Sequence, residues 1–187
     1  MDTHDTVTVC SPLLAETLPF EHIRRASPSD ASEISQLVQS SFRVHVAPDW
    51  DAEARDTFYT ETTPEKLAYA LAESTFSAVC KEDGNIIGVI LLSRPNLVQL
   101  CFVATSHLRR GIGAALWEAT RAHLEANLPE VKTVELNASP QAVAAYKAMG
   151  FHVISKQYRR RGSVATRMAC WLADRSVESA ADAALLK

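Results

Sequence analysis

Leu108-Arg109-Arg110-Gly111-Ile112-Gly113-Ala114 is the stretch on which the reading of this chain turns. An apolar run, Leu97 to Ala104, precedes it. Behind it Ile112, Leu116 and Ala119, with Trp117 and Leu124 beside them, recur at helical spacing. The stretch is therefore a strand-to-helix turn. A helix start leaves about four backbone N–H groups without partners and carries a partial positive charge. Glycines let a ligand approach that backbone closely, and two arginines add charge. The pattern predicts an anion cradle over Arg109, Arg110, Gly111, Ile112, Gly113 and Ala114, suited to a diphosphate. Taken alone it also fits a plain tight turn. It is not a nucleotide P-loop, because no Gly-Lys-Ser/Thr follows. It is not a dinucleotide fingerprint either: Leu116 stands where a third glycine would fall, and the next strand ends in Asn137 rather than an acid.

The flanking pattern supplies the rest of the architecture. Phe20 to Ala26 reads as a short first strand. Ser27-Pro28 is a cap followed by a first helical residue, and Ile34, Leu37 and Val38 predict a helix over 28–42. Val44 to Asp51 reads as a loop, 51–60 as a weakly patterned extra helix, and Thr63-Pro64 as the start of a helix with Leu67, Leu71 and Ala72 on its face. Thr75–Cys80, Asp83-Gly84-Asn85 and Ile86–Leu92 form a hairpin signature. Thr133 to Ala138 is a strand. Ser139-Pro140 opens a helix through Met149 that Gly150 ends. Phe151–Tyr158 and Val164–Leu172 close the chain as a hairpin with Arg159-Arg160-Arg161-Gly162-Ser163 at its tip. A helix between strands 97–104 and 133–138 makes those two parallel inside an otherwise mostly antiparallel sheet. The expectation is a mixed α/β (α+β) domain over 21–172, with a mobile arm at 1–20 and an Ala-rich tail at 173–187.

Composition narrows the function. With 47% apolar and 22% charged residues in 187, collagen-like, disordered and disulfide-scaffold classes are excluded. No apolar run approaches the ~18 residues of a membrane helix, and Met1–Cys10 lacks the basic residues of a signal peptide. Cys10, Cys80, Cys101 and Cys170 are scattered without a CxxC pair, which argues against zinc and for reduced thiols in a cytoplasm. His45, His107, His123 and His152 show no metal spacing, so no metal is expected. Residues 1–70 carry five bases against twelve acids, a net of −7, and the remainder nets +4. An anionic ligand thus favours the C-terminal part and a cationic one the N-terminal part, Asp49, Asp51, Glu53 and Asp56 above all. The basic part is too mild for a nucleic-acid footprint.

A second constellation follows the cradle: Asn137-Ala138-Ser139-Pro140-Gln141-Ala142, then Tyr146-Lys147-Ala148-Met149-Gly150-Phe151. Ser139 and Pro140 have a structural use as cap and first turn. Tyr146, two turns further on, packs an apolar ring while offering one proton donor, although a tyrosine there also fits the rim of a core. Together with the cradle, in this order and about 30 residues apart, these residues make the chain resemble the GNAT superfamily of N-acetyltransferases over roughly 21–172.

The resemblance implies a site for acetyl-CoA as co-substrate. Backbone groups of Cys101, Phe102 and Val103 would pair with its pantetheine arm, and the amides from Arg109 to Ala114 would hold its diphosphate. Asn137 and Ser139 would border the cofactor, and Tyr146 would protonate the departing thiolate. The acetyl group would lie between splayed parallel strands. Leu108, Thr105 and Ser139 depart from the residues usual in the family. Val134 stands where some members carry a basic glutamate, with Glu135 turned to the other face, so no general base is assigned. Without a base, a low-pKa amine is the easier acceptor: a lysine amine near 10.4 is neutral in only about one molecule in 2,500 at pH 7. The expected partners are acetyl-CoA and an amine of a small molecule or peptide, without nucleic acid or membrane; a homodimer is left open. The rival readings are a non-catalytic acyl-CoA-binding module and a transferase of longer acyl groups.

Overall fold

In a computed structural model, residues 22–172 are described. The arm and tail expected at 1–20 and 173–187 lie outside them.

Eight strands form one sheet in the order β1-β2-β3-β4-β5-β8-β6, with β7 also pairing β8. β1 (Ile23–Arg25), β2 (Phe76–Glu82), β3 (Asn85–Arg94) and β4 (Leu97–Val103) run antiparallel to their neighbours. β5 (Thr133–Ala138) is parallel to β4, and their register pairs Leu97 with Glu135. β6 (His152–Val153), β7 (Tyr158–Arg160) and β8 (Ser163–Trp171) return antiparallel. The mixed sheet with one parallel pair is the architecture expected.

Helices cover both faces. α1 (Ala31–His45) and α3 (Pro64–Ala72) pack their apolar stripes, Ile34, Leu37, Val38, Leu67 and Leu71, against Val79, Val89, Leu91 and Leu100. α4 (Ile112–Asn127) lies on the opposite face, where Leu116, Trp117, Ala119 and Leu124 meet Ile90, Leu136, Phe151 and Met168. Being buried on both faces, β3 reads as the continuous apolar run Ile86–Leu92 rather than an alternating one. Gly88 is the exception in that run. A Cβ there would stand 2.7 Å from Ile112 Cγ2 and 3.0 Å from Leu116 Cδ1, so the first turns of α4 rest directly on the backbone of β3.

Local chemistry sets the element ends. Asp30 accepts from the Ser27 N–H at 2.9 Å and from Arg24 at 2.6 and 2.8 Å, which ties β1 to the head of α1. The Arg24 guanidinium holds the Asp30 carboxyl well below the usual carboxylate range. The helix expected over 28–42 begins as a 3₁₀ turn, Pro28–Asp30, and runs on as α1 to His45. The weakly patterned 51–60 segment is α2 (Ala52–Glu61), held by the Asp51 carboxylate accepting from the Ala54 N–H at 2.9 Å. The β2–β3 turn places Asp83 and Gly84 at φ 50° and 82°, left-handed values that suit a two-residue hairpin.

Two expected elements come out divided. The helix from Pro140 starts as a 3₁₀ turn, Pro140–Ala142, before α5 (Val143–Ala148). The strand expected over Phe151–Tyr158 is split into β6 and β7. Between them the Ser155 hydroxyl accepts the Arg167 N–H at 3.0 Å, so a side chain replaces a rung of the ladder.

Candidate active site

The parallel pair opens because nothing holds it beyond its start. Glu135 N–H donates to the Asn96 carbonyl at 2.8 Å beside the Leu97–Glu135 pair, and from there β4 and β5 diverge. Along β4, Ala104 N–H donates to the Ile87 carbonyl at 2.8 Å. Backbone groups alternate along a strand, so Phe102 is paired to β3 as well, while Cys101 and Val103 turn theirs toward the gap. Of the three residues expected to pair with the pantetheine arm, Phe102 is the one whose register partner in β3 is Val89. The Phe102 side chain faces the other way, 6.0 Å from the Phe58 ring. The Val103 carbonyl already accepts the Ser41 hydroxyl at 3.0 Å. The Cys101 N–H and carbonyl and the Val103 N–H remain directed at the gap.

The loop from β4 to α4 carries two left-handed residues, Arg109 at φ 61° and Gly111 at φ 81°. Gly111 caps the helix, and a Cβ on it would touch nothing within 4 Å, so its outer side is open. Gly113 has a different use: a Cβ there would lie 3.1 Å from Met149 Cε, so it lets α4 and the end of α5 pack closely. Ile112 is half-buried against Gly88, and Ala114 is exposed. Of the two arginines, Arg110 is engaged, donating to Glu82 at 2.5 and 3.0 Å. Arg109 is exposed and makes no side-chain bond to another described residue.

Tyr146 comes from α5 and closes the gap from the α4 side. Its ring packs edge-on to Phe151, centroids 5.7 Å apart at 70°. Burial raises the Tyr146 hydroxyl well above its ordinary value, and the interaction with the Cys101 thiol adds to the shift. Burial likewise pushes the Cys101 thiol up to about 11, opposed by its hydrogen bond with Tyr146. A residue of β4 and one of α5, 45 positions apart in sequence, are thereby brought face to face. Both groups stay protonated at neutral pH.

Ser139 heads the Pro140–Ala142 turn, and its side chain makes no capping bond. Asn137 points to the opposite face of β5, where its Oδ1 accepts the Tyr158 hydroxyl at 2.8 Å. Val134 is fully buried, and Glu135 accepts from Arg167 at 2.5 and 2.9 Å. No free carboxylate stands on β5.

The four acids singled out in the N-terminal part separate. Asp51 caps α2, and its N–H donates to the Gly162 carbonyl at 3.2 Å. Glu53 and Asp56 lie on α2. Only Asp49 reaches the head of α5, its Oδ2 accepting from Gln141 at 2.8 Å. Two further contacts hold the same loop to the β7–β8 hairpin: Arg159 donates to the Asp49 carbonyl at 3.3 Å and Trp50 Nε1 to the Val164 carbonyl at 3.3 Å. Sequence reasoning missed this strap and the roles of Gln141, Tyr158 and Glu82, which depend on partners 92, 21 and 28 positions away.

A parallel pair joined only at its start, a left-handed glycine turn and a half-buried phenol thus meet at one end of the sheet. The chain belongs to the GNAT family of acetyltransferases: residues 46–172 match the family model for the acetyltransferase (GNAT) domain. The family's enzymes move an acetyl group from acetyl-CoA to an amine. The peptidyl-lysine N-acetyltransferase YiaC of Escherichia coli K12 is 26% identical over 93 residues, 50% of this chain and 61% of that protein. The alignment thus spans less than two thirds of that relative. A GCN5-related N-acetyltransferase from Rhodopseudomonas palustris shares the fold with a TM-score of 0.69 at 19% identity, covering 80% of this chain and 94% of its own. So does the PaiA N-acetyltransferase from Thermoplasma acidophilum, solved with coenzyme A, with a TM-score of 0.66 at 16% identity, covering 80% and 97%.

Proposed function

We propose that this chain is an N-acetyltransferase that moves acetyl from acetyl-CoA to an amine of a small molecule or peptide by direct attack. The observation that carries this reading is the β4–β5 pair, joined at Leu97–Glu135 and open beyond it, with Tyr146 on one wall and the glycine turn of α4 at its end. The backbone of Cys101 and Val103 would hold the pantetheine arm, and the amides of Arg109 to Ala114 the diphosphate, with Arg109 as the free cation. Ser139 would border the cofactor, whereas Asn137, expected to border it too, turns to the other face of β5. The amine nitrogen forms the new C–N bond, the thioester C–S bond breaks, and the phenol of Tyr146 gives its proton to the departing thiolate. The amine's own proton leaves to water, since β5 carries no free base. The acceptor enters beside Asp49. We further assign residues 21–172 to one catalytic domain and the chain to a cytoplasm, in keeping with its scattered cysteines. Among the described residues no helix is long and apolar enough to cross a membrane.

The test is CoA release with acetyl-CoA and aminoglycosides, polyamines, amino acids or peptide N-termini. Turnover with at least one amine class is expected. CoA binding without turnover on any of them would favour a binding module instead. Faster release from a longer acyl-CoA would reassign the donor.

A further inference from the structure

The turn that would receive the diphosphate is held by a residue outside it. Glu82 ends β2, on the hairpin whose turn is Asp83-Gly84. Its Oε2 meets His107 Nε2 at 2.9 Å and accepts Arg110 Nη1 at 3.0 Å, while Oε1 accepts Arg110 Nη2 at 2.5 Å. The Ser106 hydroxyl lies 2.8 Å from His107 Nδ1. With that hydroxyl donating to Nδ1, the Nε2–H donates to Glu82. One carboxylate thus grips the β4–α4 loop on both sides of Arg109, the residue held at φ 61°. Left-handed backbone at a residue with a Cβ persists only where its surroundings impose it. The fork of Arg110 on the two carboxylate oxygens fixes direction as well as distance. The pair also removes Arg110 from the charges offered to a phosphate.

We propose that Glu82 is a positioning residue for the acetyl-CoA site. Through His107 and Arg110 it sets the conformation of the diphosphate-binding turn, leaving Arg109 as the arginine that meets the phosphates. The proposal rests on the acetyl-CoA reading above. It differs from a simple surface ion pair in what it affects. The Glu82 and Arg110 side chains are 37% and 51% exposed, so the pair adds little to global stability. Its effect belongs to the loop, hence to KM for acetyl-CoA rather than to kcat.

The experiment uses the full chain, Glu82→Gln and, as a second way to break the fork, Arg110→Lys. CoA binding is followed by calorimetry, acetyl-CoA kinetics by thiol release, and ligand-free amide exchange over residues 106–113 by mass spectrometry. Expected for Glu82→Gln are a CoA Kd and acetyl-CoA KM raised about five-fold, the upper range for an exposed pair. kcat stays within about two-fold, the melting temperature is unchanged, and amide exchange in the loop is faster. Glu82→Asp restores part of the affinity. The Glu82→Gln/Arg110→Lys double variant is no worse than the poorer single one, as for residues acting through one contact. A CoA Kd changed less than about two-fold, or tightened because Arg110 is released to the phosphates, overturns the proposal. So does unchanged loop exchange, which needs no ligand. Wild-type protein that binds no CoA instead overturns the acetyl-CoA reading, and the exchange result still decides whether Glu82 holds the loop.

Discussion

In the proposed reaction the departing thiolate is protonated by one group, Tyr146. Burial raises its hydroxyl above the ordinary phenol value, so it stays protonated across the working range and would be available as a donor to the leaving sulfur. A positioned acid contributes about 10²–10⁴-fold in rate, roughly 3–5 kcal/mol of barrier. Tyr146→Phe removes only the oxygen and keeps the edge-on contact with Phe151. The expected result is a large fall in kcat with near-normal CoA affinity and melting temperature. A fall below about three-fold in a folded variant would mean that water protonates the thiolate. At this scale the sequence was informative about identity and silent about company. Tyr146 was singled out by its spacing from Ser139, but its pairing with Cys101 joins two elements that no local pattern connects. The same holds for Arg110: its place beside a glycine turn is legible in the sequence, but its pairing with Glu82, 28 positions away, is not.

At the scale of elements, the head of α4 is placed by what it rests on. Gly88 in β3 leaves room for Ile112 and Leu116, and adding even one methyl puts a carbon 2.7 Å from Ile112. Gly88→Ala should therefore push the first turns of α4 outward. Overpacking of this kind costs about 1–3 kcal/mol, a melting-temperature loss of roughly 2–12 °C for a chain of this size. Because Ile112 and Gly113 lie in the proposed cradle, KM for acetyl-CoA should rise as well. A stable variant with unchanged KM would show that the cradle does not depend on this seat. The elements themselves were largely legible, since hydrophobic period, proline starts and glycine stops act within a few residues. The misses have physical causes that composition does not carry. Phe151–Tyr158 reads as one strand because its composition is continuous, yet Ser155 replaces a ladder bond with its hydroxyl and divides it. The segment Val44–Asp51 reads only as a loop because the bonds that fix it go to Gln141, Arg159 and Val164, all far along the chain.

At the scale of the whole molecule, the division of charge acquires a place. The acidic N-terminal part contributes the strap that runs from α1 to α2, and the strap is fastened to the head of α5 and to the β7–β8 hairpin, beside the open end of the parallel pair. The four acids there cannot act alike. Asp51 is spent on capping α2, so Asp51→Ala should cost about 0.5–2 kcal/mol of stability. Asp49 presents its carboxylate to Gln141, next to Ser139 and Pro140, where an incoming amine would meet it. Asp49→Asn keeps the shape and removes the charge. If the strap draws a cationic acceptor, the acceptor KM should rise several-fold in Asp49→Asn while CoA affinity holds. The difference from wild type should then shrink at high salt, because screening acts over about 8 Å at physiological ionic strength and less above it. Asp51→Ala should show the opposite pattern, a lower melting temperature with the acceptor KM little changed. An acceptor KM that ignores both Asp49→Asn and salt would leave the strap as a structural fastening, with the negative balance of the first 70 residues spread over a solvated face.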